Sequence, residues 1–487
     1  MKSLAFLFLF LSSPSWAIDA YDSLRGQLTI PTVQSNNTLY SNVVVTLDKV
    51  ISIQGGTPIA DYDSYVSYSG YLFIPSVIVG TTTYNNVTIT IGNVISIGGS
   101  KTACVNNPNK SQNIYQMTSI DMRFEQYSDF DVNGNLVNSF IASAPILDKI
   151  KCNGFNTVAF QTNIPIDANT GLLTLFDSNP SNSNRDKNLP LDFWKLISYA
   201  KSIGLIVFIK AEPTYYVNDA AICSFCGLGP NFSIDKFFNT LSTYGVAMAA
   251  KAKMYGVDGF YVGDMNMGLD DDAYISQWMN LISAYRSVFD GKLIYTTCWN
   301  CGDKKLFDYV DIIGLNLNPT LNTSAIYDLR TIVNSYQMTQ DDANHGGPQN
   351  AILRIKDIYN RHKKPILLDE ISISAGDKFL GSTDIWNMLM TNQDLTSLKP
   401  DYALQGLRIA AVFELIGKEL TKEVIGIEFQ EYDPWMEAVW ITTPSQNPSY
   451  PQWHTNSIVF FNMVRNDAAQ NIFMKYFSKP WGYMFLQ

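Results

Sequence analysis

The chain has 487 residues, of which 46% are hydrophobic, so it is long enough for two or three domains and can fill a large core. This composition excludes global disorder. The formal net charge of −10 argues against a nucleic-acid partner, which would require a basic surface.

The N-terminus has the pattern of a secretory signal peptide. Met1 and Lys2 provide a positive start, residues 4–11 are apolar, and Ser15 and Ala17 are small residues at the positions that a signal peptidase reads. The apolar run is shorter than the roughly 20 residues that span a bilayer, and no later window is apolar for long enough. We therefore expect residues 1–17 to be removed and the mature chain to be secreted or extracytoplasmic, with no transmembrane segment.

A repeat follows, in which residues 28–56 match residues 72–99 at an offset of 44. Both copies alternate apolar and polar residues, which is typical of short strands joined by turns. The matching segments are Leu28–Val33 with Leu72–Val77, Tyr40–Val43 with Tyr84–Val87, and Val50–Ile53 with Val94–Ile97. The repeat predicts a small all-β module over residues 18–100, as one half-buried sheet or a sandwich. It lacks the residues of a catalytic site, so a spacer or attachment role is expected. Residues 101–115 are predicted to be a linker.

From residue 116 onward, apolar strand-like runs alternate with amphipathic helical stretches. Such alternation predicts βαβ units and a parallel sheet. The strand candidates are Thr118–Phe124, Thr157–Thr162, Leu205–Ala211, Gly259–Gly263, Lys292–Thr297, Ile312–Asn316, Pro365–Glu370 and Val424–Phe429. The helix candidates include Leu191–Ser202, Ile234–Tyr255, Tyr274–Phe289, Ala351–His362, Tyr402–Leu415 and Asn456–Asp467. Eight such pairs favour an α/β fold of the (β/α)₈ TIM-barrel type over residues 116–487. The competing open sheet normally carries a Gly-rich phosphate fingerprint, which this sequence lacks.

The six cysteines include two CxxC pairs. In an exported chain an even number of cysteines favours disulfides. We expect local bridges Cys223–Cys226 and Cys298–Cys301 together with Cys104–Cys152. Zinc bound between the two CxxC pairs is the alternative.

Acidic residues recur where the predicted strands end, which is the face that carries the chemistry of a TIM barrel. They are Glu212, Asp264, Glu370, Glu428 and Glu431. Aromatic and amide residues accompany them, among them Trp299, Asn316, Tyr432 and Trp435. Carboxylates with aromatic rings and amides, and only three histidines in the chain, fit a sugar site better than a metal site. Each acid could instead cap a helix or form an ion pair.

The runs KKPILLDEISI, LFDYVDIIGLN and KLIYTTCW, with NGFNTVAFQT and ISYAKSIGLIVFIKAEP, resemble strands of clan A glycoside hydrolases. The nearest pattern is that of the endo-β-mannanase-like enzymes of glycoside hydrolase family 113. The resemblance covers roughly residues 116–470. It implies a TIM barrel, a retaining mechanism on a β-linked polysaccharide such as mannan, no organic cofactor and no metal. It also places Glu370 at the nucleophile position.

The chain departs from this family at the acid/base position. The family carries Glu at the end of strand four, where this sequence has Met265, and Asp264 lies one residue earlier. One step along a strand turns a side chain to the other face. Three interpretations stay open. Asp264 is the acid after a local shift of the strand, or another acid such as Glu212 or one of 270–272 reaches in, or the protein binds glycans without hydrolysing them.

The sequence thus predicts a secreted glycoside hydrolase with Glu370 as nucleophile and Asp264 as acid/base. Glu212, Trp299, Asn316, Tyr432 and Trp435 are expected to bind substrate. The alternative is a catalytically inactive glycan-binding surface protein on the same scaffold.

Overall fold

The computed structural model describes residues 19–35, 38–54, 62–66, 69–96, 105–121, 140–173, 191–217, 220–221, 229, 231–264, 268–317, 327–339, 349–371, 373, 375, 401–432 and 467–486. The chain divides into two compact units, Met1–Lys101 and Thr102–Gln487. The proposed signal peptide lies outside the described residues.

The first unit is a six-stranded sheet that closes on itself. Its strands are β1 Asp19–Asp22, β2 Gln27–Ser35, β3 Thr38–Ser52, β4 Ser64–Val66, β5 Tyr71–Val79 and β6 Thr82–Ser96. The order is β1-β2-β3-β6-β5-β4, and further pairings join β1 to β5 and β4 to β2. This small β module was predicted as one half-buried sheet or a sandwich, and the structure shows a single sheet that closes. Closure satisfies backbone groups that an open edge would leave exposed.

The two copies of the repeat fold alike, because the hairpins β2–β3 and β5–β6 begin and end at positions 44 residues apart. Alternate apolar side chains of both hairpins form the core. The buried equivalents are Leu28 and Leu72, Ile30 and Ile74, Val33 and Val77, Val43 and Val87, and Val45 and Ile89. Leu47 of β3 pairs with Ile91 of β6, which is its own equivalent in the second copy. A pseudo-two-fold axis therefore passes between these two residues.

Asp19 and Asp63 are also equivalent in the repeat, and their carboxyl groups interact. Asp19 is 3% exposed. Burial and the neighbouring Asp63 carboxylate raise the pKa of Asp19 to about 9. Burial raises the pKa of Asp63 to about 6. At neutral pH the folded pair therefore keeps one proton, whereas both residues would be ionised in the unfolded chain.

We expect the first unit to lose stability as the pH rises. Both folded pKa values lie above the ordinary value of 3.8, so the stabilisation is complete below about pH 4 and is lost progressively as the pH rises through about 6 to about 9. Hydrogen-exchange protection of β1 and β4 in the full-length protein should fall across this range. Asp19→Asn should flatten the decline. Equal protection at pH 5 and pH 9 in the unsubstituted protein would show that the pair carries no excess proton.

The second unit is a closed barrel of eight parallel strands. They are β7 Tyr115–Asp121, β8 Thr157–Asp167, β9 Ile206–Val217, β11 Gly259–Asp264, β12 Lys292–Cys298, β13 Ile312–Asn316, β14 Ile366–Ile371 and β15 Val424–Tyr432. Each pairs in parallel with the next, and β15 returns to β7. A short strand, β10 Ala220–Ala221, adds antiparallel to β9. The TIM barrel predicted from the strand–helix alternation is confirmed.

Helices of the second unit connect these strands. The described α-helices are α1 Phe140–Cys152, α2 Leu191–Ser202, α3 Ile234–Thr240, α4 Val246–Met254, α5 Ile275–Val288, α6 Leu329–Ser335, α7 Ala351–His362, α8 Tyr402–Leu415 and α9 Asp467–Phe477. Two π-helical turns, Leu241–Gly245 and Ile416–Leu420, join α3 to α4 and extend α8. Three 3₁₀ turns are Pro108–Ser111, Asp272–Tyr274 and Lys305–Tyr309. In the described part of the chain, no helix is long and apolar enough to cross a membrane.

Helix α7 shows how the sequence sets its own limits. The Asn350 side chain caps its first turn by accepting a hydrogen bond from the Leu353 amide, and Lys363 ends it in the left-handed conformation. Its buried face comprises Ala351, Ile352, Ile355 and Ile358. These residues recur at helical spacing and pack toward the barrel, so the predicted bounds of this helix agree with the structure.

The last helix differs from its prediction. It was expected over Asn456–Asp467, whereas α9 begins at Asp467, and residues 456–466 lie outside the described residues. Phe473 and Phe477 of α9 pack against Phe155. Glu414 of α8 accepts a hydrogen bond from the Tyr476 hydroxyl. These contacts give α9 a buried face.

Candidate active site

Strand β9 places three inward-facing residues in successive layers of the barrel. Phe208 belongs to the apolar cluster of the barrel interior. Lys210, two residues later, is fully buried. Glu212, two residues later again, is half-buried. Because side chains of a strand alternate with period two, all three project to the same side. The interior therefore changes from apolar to charged toward the carboxyl ends of the strands.

A β-bulge turns Asp264 into this interior. Tyr261 of β11 pairs with Ile294, whereas Gly263 pairs with Tyr295, so Val262 is one extra residue on β11. Tyr261 and Ile294 both face the barrel interior. The extra residue reverses the alternation, so that Asp264 again faces inward, as the bulge geometry requires. This is the local shift that the sequence left open.

A second irregularity turns Glu370 inward. Leu368 of β14 pairs with Ile427, but the next pair is Ile371 with Phe429, so two residues of β14 oppose the single residue Glu428 of β15. Glu370 has φ of 47°, in the left-handed region that a non-glycine residue rarely adopts. Asp369 and Glu370 therefore both face the barrel interior, at a cost of order 1–3 kcal/mol in backbone strain.

Four carboxyl groups surround the ammonium group of Lys210. Its Nζ lies 2.5 Å from Glu370 Oε1, 3.3 Å from Asp369 Oδ2, 3.6 Å from Asp264 Oδ2 and 3.9 Å from Glu428 Oε2. The Lys210 side chain is 0% exposed, whereas that of Glu370 is 22% exposed. The cluster therefore extends from a fully buried base up to an accessible carboxylate.

Hydrogen bonds fix the lower layer of the cluster. The Tyr261 hydroxyl donates to Asp369 Oδ1 at 3.2 Å and lies 3.5 Å from Glu428 Oε2. Thr296 Oγ1 donates to Asp369 Oδ2. A Cβ at Gly314 would lie 2.0 Å from Thr296 Oγ1, so only glycine leaves room for this hydroxyl. The lower layer is thus built from side chains of several neighbouring strands.

The upper layer faces the cleft. Asn316 Nδ2 donates to Glu370 Oε2 at 3.1 Å, and Gln161 Nε2 donates to Glu212 Oε1 at 2.5 Å. Carboxylate oxygens of Glu212, Asp264 and Glu370 lie within 4.8 Å of one another. Two of the candidate acids, Asp264 and Glu212, therefore meet the candidate nucleophile Glu370 at one point, together with the predicted Asn316.

Burial and neighbouring charges leave some carboxyl groups of the cluster neutral and others ionised. Burial, and then the charge of Glu370, raise the pKa of Asp264 well above its ordinary value. Burial, and then the charge of Asp369, likewise raise the pKa of Glu428. Burial alone would raise the pKa of Asp369, but Lys210 and the hydrogen bonds to Asp369 lower it. The cluster therefore holds neutral Asp264 and Glu428 beside ionised Asp369.

The ammonium group itself is stabilised. Burial alone would lower the pKa of Lys210, but the surrounding carboxylates outweigh it and raise the pKa well above the ordinary value. Glu212, Asp264 and Glu370 also meet the distance condition for a cation site. However, Lys210 already contacts Glu370 and Asp264, and its positive charge opposes binding of a second cation there. The arrangement fits acid–base chemistry better than metal binding.

The other predicted site residues have different positions. Trp299 is 4% exposed and lies between the disulfide-bonded Cys298 and Cys301, where it packs rather than presenting an open ring. Tyr432 is the last residue of β15, and its side chain lies outside the described residues, as does Trp435. Acids 270–272 have other partners: Asp270 pairs with Lys304, while Asp271 and Asp272 accept backbone amides.

The predicted disulfides are described only in part. Cys298–Cys301 is bonded, so these two thiols are not zinc ligands in this structure. Cys152 is also disulfide-bonded. The Val105 amide donates to the Cys152 carbonyl oxygen at 3.1 Å, which places the residue after Cys104 beside Cys152. Cys104, Cys223 and Cys226 lie outside the described residues.

Sequence reasoning did not single out Lys210, Thr296 or Asp369. One signal was available for Lys210, since a lysine flanked by Ile209 and Ala211 in a buried strand requires an acidic partner. Thr296 and Asp369 carry no comparable signal, because a hydroxyl or an acid near a strand end is common.

Solved structures show which proteins share the barrel. The chain is 14% identical to a β-1,4-mannanase of glycoside hydrolase family 113, with a TM-score of 0.50 over 75% of this chain and 99% of that one. A family 113 β-mannanase from Alicyclobacillus acidocaldarius, solved in complex with ManMIm, is 12% identical, with a TM-score of 0.50 over 76% and 98%. The second unit therefore shares its TIM-barrel fold with these two enzymes. The resemblance to this family is thereby confirmed at the level of the fold. No protein-family model and no curated protein matches the sequence.

Tyr261→Phe tests the lower layer of the cluster. It removes a buried hydroxyl that donates to the ionised Asp369, so the free energy of unfolding in urea should fall by about 1.5 to 3 kcal/mol. Tyr215→Phe is the matched control, because the Tyr215 hydroxyl is buried without a hydrogen-bond partner among the described residues. Its removal should leave stability unchanged or raise it. Equal losses in both variants would contradict the hydrogen-bond assignment.

Proposed function

We propose that this protein is an exported, retaining glycoside hydrolase that acts on a β-linked polysaccharide such as mannan. The main support is the pair Asp264 and Glu370, whose carboxylate oxygens lie within 4.8 Å of each other at the carboxyl ends of the barrel strands. Retaining enzymes hold their two carboxyl groups about 5 Å apart, whereas inverting enzymes leave several more ångströms for a water molecule. The glycoside hydrolase scaffold adds to this support.

The first chemical step assigns one role to each carboxyl group. Glu370 attacks the anomeric carbon, and the bond from that carbon to the glycosidic oxygen breaks. The electron pair of this bond goes to the leaving oxygen, which takes the proton of Asp264. The raised pKa of Asp264 supports its role as the acid, because the group must hold a proton before the reaction. Its Oδ1 atom is buried without a partner among the described residues.

The second step releases the sugar from Glu370. Water attacks the anomeric carbon, its proton passes to the Asp264 carboxylate, and the bond from the sugar to Glu370 breaks. Both groups return to their starting states, and the configuration at the anomeric carbon is retained after two inversions. Asn316 and Glu212 border the pair and are positioned to bind hydroxyl groups of the sugar.

The decisive experiment measures the release of reducing ends from β-mannan, glucomannan, xylan, β-glucan and chitin. Wild type should act on at least one, and Glu370→Gln and Asp264→Asn should lower kcat by on the order of 10²–10⁴. Glu419→Gln is a matched control, since Glu419 also accepts from a lysine, Lys356, and from a side-chain amide. It should retain wild-type activity. No release by wild type from any substrate would refute the proposal.

Rescue by azide tests whether Asp264, and not another candidate acid, is the acid/base. In Asp264→Ala the first step still forms a glycosyl-enzyme from a substrate with a good leaving group, and azide needs no base to attack it. We expect azide to accelerate this variant and to yield a glycosyl azide of unchanged anomeric configuration, seen by proton NMR. A glycosyl azide of inverted configuration would exclude a retaining mechanism. Rescue of Glu212→Ala instead would reassign the acid/base to Glu212.

A glycan-binding protein without hydrolytic activity is the second candidate. It is favoured by the acid position, where Asp264 is one methylene shorter than the glutamate of the resembled family. This candidate predicts sugar binding that persists in Glu370→Gln, with no reducing ends released by any form of the protein.

Export is part of the proposal. Its support is the N-terminal sequence pattern and the disulfide Cys298–Cys301, since such bonds persist in oxidising compartments. Expression of the full-length chain in a bacterium and N-terminal sequencing of the product outside the cytoplasm should give Ile18 as the first residue. Retention of Met1 in a product confined to the cytoplasm would refute it.

A further inference from the structure

Lys210 has no role in the chemical steps proposed above. Its ammonium lies beneath the cleft, and its side chain is 0% exposed. A lysine in such a place is costly, because burial removes the hydration of its charge. The cost is offset only by the carboxylates around it, so the function of this residue should be sought in what it does to them.

Lys210 and Asn316 together hold both oxygens of Glu370. The ammonium contacts Oε1 at 2.5 Å, and the Asn316 amide donates to Oε2 at 3.1 Å. Two donors on different strands fix the plane of the carboxylate.

The ammonium is itself held in place from below. Asp369 Oδ2 lies 3.3 Å from Nζ, and Asp369 is bonded by Thr296 and Tyr261. Glu428 shares its proton with Asp369, because the pKa of Glu428 is raised by burial and by Asp369. The groups that face Lys210 are Tyr261 and Asp264 from β11, Thr296 from β12, Asp369 and Glu370 from β14, and Glu428 from β15.

We propose that Lys210 is a positioning residue: its buried ammonium, held by Asp369, orients the Glu370 carboxylate for attack. This inference rests on the proposed function. It adds a residue that does not touch substrate and acts only through Glu370. The proposal predicts that loss of the charge at position 210 alters the pH dependence of the reaction and not the binding of the glycan.

The first test is the pH profile of kcat on a cleaved polysaccharide. Lys210→Met should move the acid limb to higher pH by about one to three units, because an adjacent opposite charge shifts a carboxyl group by that amount. KM should change little. Lys210→Arg, which keeps the charge, should retain the wild-type limb with a lower kcat. Lys201→Met is the control, since it removes the ion pair of Lys201 with Asp258 at 2.6 Å, outside the cluster.

Three outcomes separate this inference from the proposed function. A shifted limb in Lys210→Met alone supports the positioning role. A uniform loss of kcat with an unmoved limb overturns it and leaves the hydrolase assignment intact. If wild type cleaves no substrate, the proposed function fails, and the effect of the Lys210 charge on the cluster is tested by stability instead.

That second measurement is urea unfolding between pH 5 and pH 8. Without Lys210 the folded chain should bind a proton that the unfolded chain does not, so the stability of Lys210→Met should fall more steeply with rising pH than that of wild type. Adding Asp369→Asn should reduce the extra slope, because Lys210 lowers the pKa of Asp369. Parallel slopes in wild type and Lys210→Met would overturn the inference without reference to activity.

Discussion

A single buried ammonium group determines how the centre of the barrel is organised. Lys210 has four carboxyl groups within 3.9 Å and no exposed surface. Four negative charges around one positive charge are not compatible with a dry interior, so some of the carboxyl groups must hold protons. The proton distribution follows from geometry. Asp369, with the most hydrogen bonds, is ionised, while Asp264 and Glu428, whose pKa values burial raises, are neutral.

One extra residue in β11 and one in β14 make this arrangement possible. With regular alternation the side chains of Asp264 and Glu370 would point away from the interior. Each lies an odd number of residues after an inward-facing residue of its own strand. The bulge at Val262 corrects β11, and the bulge with left-handed Glu370 corrects β14. Strain at Glu370 is tolerated because Lys210 and Asn316 bond the side chain that it presents. Backbone irregularity and charge pairing thus depend on each other.

These bulges also set the limit of what could be predicted from the sequence. Strands and helices were predictable because apolar periodicity depends on local burial: β13, α2, α7 and α8 have the predicted bounds. The strand-end acids and Asn316 were predictable because a barrel gathers strand ends at one face. The inward direction of the Asp264 side chain was not predictable, since a bulge is one additional residue that no sequence pattern marks here. The Lys210 network was missed for a similar reason, because its partners come from strands far apart in sequence.

The first unit meets the same physical problem with a different solution. The repeat brings equivalent Asp19 and Asp63 together as a second buried carboxyl pair. In the barrel, the charge of Lys210 allows one carboxylate beside it to stay ionised. In the β module, burial and the mutual repulsion of the pair dominate, and a proton takes the place of the lysine. A proton is supplied by the solvent and is lost as the pH rises, whereas a lysine is fixed by the fold. The positive charge in the barrel cluster is therefore fixed by the sequence, whereas the proton of the module depends on the pH of its surroundings.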